Sequence, residues 1–208
     1  MVFGVRWLHR SLLLEVSQLL LLIISGQSAS GKSTLLPRLA RRYGWPYVSK
    51  DECKECLFDA LGWSDRAFSQ RIGGASYDLL LLMAEKLMQT QSPFILETNF
   101  TPRFAAELRN LIDRYRYASL VIHCTAERTV LLERFRRRST DGSRHPGHQD
   151  KENMVQWETA LLAQDADPPE VLGEVLLFDT TTISDFMYMG LWSELDSRVK
   201  SLKTQRPR

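Results

Sequence analysis

The chain has 208 residues and a formal net charge of +2 at neutral pH; 44% of its residues are hydrophobic and 25% are charged. This length and composition fit one ordinary globular domain and exclude a disordered chain, and so small a net charge gives no argument for nucleic-acid binding. Its three cysteines, an odd number in a chain this long, do not make a disulfide framework and are typical of the reducing cytoplasm, where we expect the protein to be.

Residues 1–18 form a lead-in whose order the sequence does not define, and we expect residues 19–208 to form a single domain. Arg6 and Arg10 precede a Leu-rich stretch that ends in small residues at 28–30, a pattern that resembles a secretory signal. Cleavage there would cut through the loop described next, so we interpret the second half of this stretch as the first strand of the core. No apolar run reaches the ~20 residues that a membrane span needs, and we expect no membrane partner.

The loop after that strand carries the strongest motif of the chain. An apolar run at 19–24 predicts a buried strand, Gly26 to Ser33 reads G-x-x-x-x-G-K-S, and 34–43 has helical periodicity. Strand, loop and helix in this order are what a P-loop requires, in which backbone N–H groups and Lys32 bind the phosphates of ATP or GTP and Ser33 ligates Mg²⁺. The residues that we expect to bind the nucleotide are Gly26, Ser28, Ala29, Ser30, Gly31, Lys32, Ser33 and Thr34.

A carboxylate follows the second predicted strand. Residues 45–49 predict that strand and 53–61 a helix, so Asp51 lies at the carboxyl end of a strand, where α/β sheets place residues that contact ligands. Asp51 could instead cap the next helix, and the two roles are compatible.

A second acidic residue ends the third predicted strand. After a hinge-like stretch that ends at Gly73-Gly74 and a helix at 75–91, residues 94–96 predict the strand, followed by Glu97-Thr98-Asn99. An acidic side chain at this position can bind Mg²⁺ directly or through water. Glu97 could equally contact the substrate, and both roles stay open. Pro102 predicts the start of the next helix.

Arginines are concentrated after the fourth strand, which we predict at 118–124. The helix that follows, 126–138, continues into a loop that ends at Asp150, and we interpret about 127–150 as a lid. Arg134 and Arg138 are four residues apart on one face of this helix, so both could point at one triphosphate and stabilise the charge that develops in phosphoryl transfer. A last strand at 175–179 and a helix at 184–202 complete an α/β, three-layer fold with a five-stranded, mainly parallel sheet.

In these motifs the sequence resembles the P-loop kinases of the polynucleotide kinase, zeta toxin and chloramphenicol phosphotransferase group. The resemblance implies that Asp51 is the general base that takes the proton of an acceptor hydroxyl, and that Lys54 contacts the acceptor. In the mechanism that we expect, Glu97 or Asn99 positions the metal or the acceptor. The family has an arginine at the position of Lys54. A lysine lacks the guanidinium fork, which argues against a nucleic-acid acceptor. The resemblance also implies an adenine pocket between the lid and the loop at 179–181.

The sequence therefore predicts a kinase that transfers the γ-phosphate of ATP, with Mg²⁺, to a hydroxyl of a small molecule or nucleotide-like acceptor. Its predicted catalytic residues are Lys32, Asp51, Arg134 and Arg138, its substrate contacts are Lys54, Glu97 and Asn99, and its metal ligands are Ser33 and Glu97. Two alternatives remain open: a 5′-hydroxyl polynucleotide kinase, and an ATPase switch that has no phosphoryl acceptor.

Overall fold

A computed structural model of the chain describes residues 19–163 and 167–204, and the predicted lead-in at 1–18 lies outside the described residues. Five strands form one sheet in which every pair is parallel, in the order β2-β3-β1-β4-β5. The strands are β1 (Leu20–Gly26), β2 (Tyr47–Ser49), β3 (Phe94–Glu97), β4 (Ala118–Thr125) and β5 (Glu174–Asp179). The predicted α/β fold is confirmed, and the sheet is parallel throughout.

Seven α-helices lie within the described ranges. They are α1 (Lys32–Tyr43), α2 (Lys50–Leu61), α3 (Arg66–Gln89), α4 (Pro102–Tyr115), α5 (Arg128–Thr140), α6 (Met154–Ala163) and α7 (Asp185–Thr204). Short 3-10 turns at Pro146–His148 and Glu170–Leu172 precede α6 and β5.

The side chains of the central strand divide the core into two layers. Leu21 and Ile23 pack on one face of the sheet with residues of α3 and α4, while Leu20, Leu22 and Ile24 pack on the other face with α1 and α7. Successive side chains of a strand point to opposite faces, so a strand covered on both sides is apolar at every position. This explains the continuous apolar run that predicted β1, and it gives the expected three layers.

The pairing register brings the ends of the strands together. Glu97, the last residue of β3, pairs with Ser49 of β2 and with Ile24 of β1, and Gly26 pairs with Cys124 of β4. The carboxyl edge of the sheet therefore collects the P-loop and the polar residues that follow the neighbouring strands.

The hinge-like stretch that we expected to extend from Gly62 to Gly74 is non-helical only at 62–65, and Gly73-Gly74 is part of the continuous helix α3. Ser69, Ile72 and Ser76 are buried at helical spacing along this stretch. A β-carbon on Gly73 would lie 3.8 Å from Nζ of Lys54, so the glycine faces a side chain of α2. Glycine costs ~1 kcal/mol in a helix relative to alanine, and the burial of this face offsets that cost.

Within residues 19–163 and 167–204, every helix is too short or too polar to cross a membrane.

Core burial predicts that truncating two different leucines of the sheet lowers the free energy of unfolding by very different amounts. Leu96 in β3 is fully buried, whereas Leu177 in β5 is 66% exposed. We expect Leu96→Ala to lower the free energy of unfolding by about 3 kcal/mol, through lost burial and a residual cavity, and Leu177→Ala to lower it by less than ~1 kcal/mol. Urea unfolding followed by circular dichroism measures both, and equal losses would contradict this packing.

Candidate active site

A cavity of about 380 Å³ opens at the carboxyl edge of the sheet. Loop residues 28–33 line one side of it, and polar residues that follow β2 and β3 line the other side. Two arginines, Arg138 of α5 and Arg144 of the loop after α5, complete the lining. The nucleotide-binding candidates at 28–33 and the candidates Asp51, Glu97 and Asn99 thus face one cavity.

The P-loop backbone is held in a conformation that requires glycine. Gly26 has a φ of 132°, and a β-carbon there would lie 2.2 Å from the carbonyl oxygen of Cys124. Gly31, at φ 87°, precedes the first residue of α1. Only glycine adopts such backbone angles without strain, so the two fixed glycines of the motif shape the loop.

This loop fits the phosphates of a nucleotide. It ends at the N-terminus of α1, whose unpaired N–H groups and dipole favour an anion, and the first turn of α1 contains no acidic residue. Ser30 Oγ is buried and has no hydrogen-bond partner among the described residues. Ser33 lines the cavity, whereas Thr34 is exposed and lies outside the lining.

Lys32 is buried under the loop. Its Nζ donates hydrogen bonds to the carbonyl oxygens of Gly26 at 2.9 Å and Gln27 at 2.7 Å. Burial lowers the pKa of Lys32, while the nearby carboxylates of Glu97 and Asp51 act in the opposite direction. The amine of Lys32 is therefore beside the predicted phosphate-binding backbone and close to both predicted acidic residues.

Ser49 organises the acidic side of the cavity. Its Oγ accepts a hydrogen bond from the backbone N–H of Glu52 at 3.5 Å, which caps α2, and donates one to Glu97 Oε2 at 2.7 Å. Glu97 is buried, and burial raises the pKa of its carboxyl group. Asp51 lies in the first turn of α2, so the helix begins earlier than predicted and its cap is Ser49 rather than Asp51.

Arg144 holds the carboxylate of Asp51. Its Nη1 donates to Asp51 Oδ2 at 2.9 Å and lies 3.5 Å from Glu55 Oε1, while its Nε lies 3.4 Å from Asp150 Oδ2. Burial alone would raise the pKa of Asp51, but the charges of Arg144 and Lys50 outweigh burial and keep this pKa well below its usual range. Asp51 is thus an ionised, oriented carboxylate.

His148 completes the surroundings of Arg144. Its Nδ1 lies 3.1 Å from Nη2 of Arg144, which can only donate, so Nδ1 accepts. Nε2 then carries the proton and donates to Glu55 at 2.9 Å. Burial lowers the pKa of His148, in agreement with a neutral ring.

Arg144 and Asp150 were missed by sequence reasoning as site residues. Arg144 lies in a loop, where no periodicity indicates the direction of a side chain, and its partner Asp51 is 93 residues earlier in the chain. The arginine-rich composition of the segment was the one available signal.

The two predicted lid arginines have different surroundings. Arg138 lines the cavity, and its Nη2 lies 3.3 Å from Asp150 Oδ2. Arg134 does not line the cavity: it donates to Oγ1 of Thr180 at 3.0 Å and to the Thr180 carbonyl. Thr180 Oγ1 in turn lies 3.0 Å from the carbonyl oxygen of Ser30, so Arg134 supports the P-loop through the loop that follows β5.

Lys54 lies behind the cavity rather than in its lining. Its Nζ donates to Ser69 Oγ at 2.9 Å and lies 5.2 Å from the centre of the Phe58 ring. Burial lowers the pKa of Lys54 to about 8. The amine therefore joins α2 to α3, and its predicted contact with substrate stays a prediction.

Asn99 lines the cavity next to the acidic residues. Its backbone carbonyl oxygen accepts hydrogen bonds from the hydroxyl groups of Tyr77 and Thr98. Its side-chain Oδ1 is buried and has no donor among the described residues. Asn99 thus has a side-chain acceptor that no described residue uses.

The loop that carries Arg144 is docked on α2. The His145 ring stacks on Phe58 with centroids 5.3 Å apart and meets Trp63 edge-on at 4.9 Å. A β-carbon on Gly147 would lie 2.5 Å from the Phe58 ring, so glycine permits the close approach. These contacts give His145 a packing role.

The fold and the loop define the chain as a P-loop protein with the architecture of the P-loop kinases. The family model described as "AAA domain" matches residues 21–161, more than half of the chain, and the chain belongs to this family. No curated protein matches the sequence.

Several solved structures similar to the chain are kinases by name. A "putative kinase" from Chloroflexus aurantiacus is 34% identical with a TM-score of 0.75, and the match covers 84% of this chain and 96% of that one. A sugar kinase from Janibacter is 14% identical, with a TM-score of 0.51 and coverage of 89% and 98%. A gluconokinase from Sinorhizobium meliloti is 15% identical, with a TM-score of 0.51 and coverage of 88% and 94%. The last two similarities show the fold alone.

Because Ser49 both caps α2 and donates to Glu97, replacing it should destabilise the protein more than the loss of a helix cap alone. Ser49→Ala removes the cap of α2 and the donor to buried Glu97, so we expect the free energy of unfolding to fall by about 2–3 kcal/mol. Thr101→Ala is the matched control, because Thr101 caps α4 and has no carboxylate partner in its cap; we expect it to cost about 1 kcal/mol. Chemical denaturation compares them, and equal losses would contradict the Ser49–Glu97 hydrogen bond.

The low pKa of Asp51 predicts a pH-dependent contribution to stability. A depressed carboxyl pKa stabilises the folded state above the unfolded-state value of about 3.9, and this contribution is lost as the pH falls below that value. We expect Asp51→Asn to be less stable than wild type by about 1–3 kcal/mol at pH 7, with the difference narrowing as the pH falls below about 4. Asp78→Asn, at an exposed carboxylate, should show no such convergence. Urea unfolding at several pH values measures the difference in the free energy of unfolding between each variant and wild type. A difference for Asp51→Asn that does not change with pH would contradict the ion pair.

Proposed function

We propose that the protein is an ATP-dependent kinase that transfers the γ-phosphate to a hydroxyl group of a small-molecule or nucleotide-like acceptor in the cytoplasm. The observation that carries this proposal is that a P-loop and an oriented, ionised carboxylate, Asp51, line the same cavity. Membership of the AAA domain family and the 34% identity to a "putative kinase" support it.

The P-loop residues Gly26 to Thr34 would bind ATP. Backbone N–H groups at the start of α1 bind phosphate oxygens, and Lys32 exchanges its present carbonyl partners for the β- and γ-phosphates. Ser33 and Glu97 are the residues that would hold Mg²⁺, which neutralises charge on the phosphates when bound. A raised pKa at Glu97 fits a buried carboxyl group that a cation would ionise.

Asp51 would orient the acceptor. The acceptor oxygen attacks the γ-phosphorus, the bond from that phosphorus to the β-bridging oxygen breaks, and ADP leaves. The hydroxyl proton passes to Asp51. A carboxylate with a low pKa is a weak base, which suits a loose transition state whose catalysis depends on positioning and on charge stabilisation.

Arg138 is the lid arginine best placed to stabilise developing negative charge, because it lines the cavity beside the P-loop. Arg134 contributes through Thr180 and the P-loop backbone, and contact with the nucleotide would require it to leave those partners. A polynucleotide acceptor gains no support from Lys54, whose amine is bonded to Ser69.

ATP turnover with Mg²⁺ tests the proposal. The purified protein is assayed alone and with nucleosides, sugars, nucleotide-sugars, aminoglycoside and phenicol antibiotics, and a 5′-hydroxyl oligonucleotide. We expect ADP formation that rises with one acceptor class only. ATP hydrolysis at a rate that no acceptor changes would instead favour the ATPase switch.

Asp51→Asn tests the role of the carboxylate. We expect phosphoryl transfer to fall at least ~100-fold, the usual contribution of a general base, while nucleotide affinity stays within ~3-fold of wild type. Asp78→Asn is the control and should retain full transfer. Undiminished transfer by Asp51→Asn would remove Asp51 from the mechanism.

A further inference from the structure

We propose that the acceptor is a small molecule with several hydroxyl or ammonium donors and no phosphate or carboxylate group. Neutral polyols and amino sugars share this chemistry. The inference rests on the proposed kinase function and specifies its substrate class.

The half of the cavity away from the P-loop offers hydrogen-bond acceptors. Asp51, Glu52 and Glu55 line it together with Asn99. Asn99 Oδ1 has no donor among the described residues, and Glu52 accepts a hydrogen bond from the Tyr47 hydroxyl at 3.2 Å. A ligand that hydrogen-bonds to these oxygens must itself bring donors, because ionised carboxylates and an amide oxygen can only accept.

The cation in the lining of this half is already compensated. The guanidinium of Arg144 is in contact with the carboxylates of Asp51, Glu55 and Asp150 and donates to His148 as well. An anionic ligand could pair with Arg144 only by displacing one of these carboxylates or by approaching them closely.

The two nearby lysines also have partners within the protein. Lys50 Nζ lies 3.4 Å from Asp51 Oδ1 and 5.5 Å from the centre of the Tyr77 ring. Lys54 donates to Ser69 behind the cavity wall. Neither lysine lines the cavity, so neither offers a free positive charge to a phosphate or carboxylate group.

The electrostatic consequence is selectivity by charge. A phosphate or carboxylate would meet three carboxylates at short range, and like charges at such distances are strongly repulsive. A hydroxyl group can donate to the same oxygens without a charge penalty, and an ammonium group gains Coulombic attraction as well. This half of the cavity therefore favours neutral or cationic acceptors.

A metabolite extract separated by ion exchange into cationic, neutral and anionic pools tests the charge preference while the acceptor itself is still unidentified. Each pool is incubated with the wild-type protein, Mg²⁺ and ATP radiolabelled at the γ-phosphate. Label transferred chiefly to the cationic or neutral pool supports the inference, and label transferred chiefly to the anionic pool overturns it. If ATP binds but no pool is labelled, the kinase function itself fails, and the inference with it.

Matched acceptors then measure the selectivity directly. Glucosamine, N-acetylglucosamine and glucosamine N-sulfate carry the same free hydroxyl groups and differ mainly in the charge of the group at C2. Among these matched acceptors, we expect kcat/KM for the anionic compound to be at least ~10-fold below that of the neutral or cationic compound. A higher value for the anionic member would overturn the inference.

Glu55→Gln tests the cause of the selectivity. Removing one carboxylate from Arg144 leaves the guanidinium able to pair with a ligand anion, so the ratio of anionic to neutral kcat/KM should rise at least ~3-fold. Glu107→Gln, at an exposed carboxylate that pairs with Arg103 on α4, is the control and should leave the ratio unchanged. An unchanged ratio in Glu55→Gln would exclude Arg144 compensation as the source of the preference.

Discussion

Charge compensation inside the cavity is the constraint on which the site depends. Asp51 remains ionised because Arg144 donates to it at 2.9 Å and Lys50 lies 3.4 Å away. Arg144 comes from the loop after α5, so the same ion pair fixes that loop against α2. Gly147 permits the approach, since a β-carbon there would meet the Phe58 ring at 2.5 Å. Removing one partner of such a pair leaves charge buried with too few partners, which costs far more than an exposed ion pair contributes.

The nucleotide side depends on close backbone packing instead of charge. Gly26 ends β1 beside β4, where any β-carbon would collide with the carbonyl oxygen of Cys124. On the other side of the loop, Thr180 accepts a hydrogen bond from Arg134 and lies within hydrogen-bond distance of the Ser30 carbonyl. The P-loop is therefore held by β4 and by the loop that follows β5. Backbone N–H groups of a loop fixed in this way would need little reorganisation when phosphate binds, which is the condition for strong electrostatic stabilisation.

The strands and the P-loop could be predicted because their signals are local. A buried parallel strand is a continuous apolar run, and a glycine motif with a strand before it and a helix after it has one common interpretation. The prediction that a hinge-like stretch ends at Gly73-Gly74 was wrong, because helix propensity is a weak signal beside the burial of a helix face. Arg134 and Arg138 do share a helix face, but one turn of helix separates them and gives them different neighbours. Arg144 escaped prediction because only tertiary packing brings a loop residue to Asp51.

Asp150 connects the two halves of the cavity. Its Oδ2 lies 3.3 Å from Arg138, beside the nucleotide site, and 3.4 Å from Arg144, which holds Asp51. Burial lowers the pKa of Arg138, and the charge of Arg144 lowers it further, so the two guanidinium groups disfavour each other. The carboxylate of Asp150 lies near both groups and offsets part of the repulsion between them. Because a single carboxylate serves both arginines, a change of charge beside the phosphates alters the field at Asp51 through two ion pairs. Phosphoryl transfer moves negative charge across this same space, so the groups that would stabilise the donor and orient the acceptor are electrostatically coupled before any substrate binds.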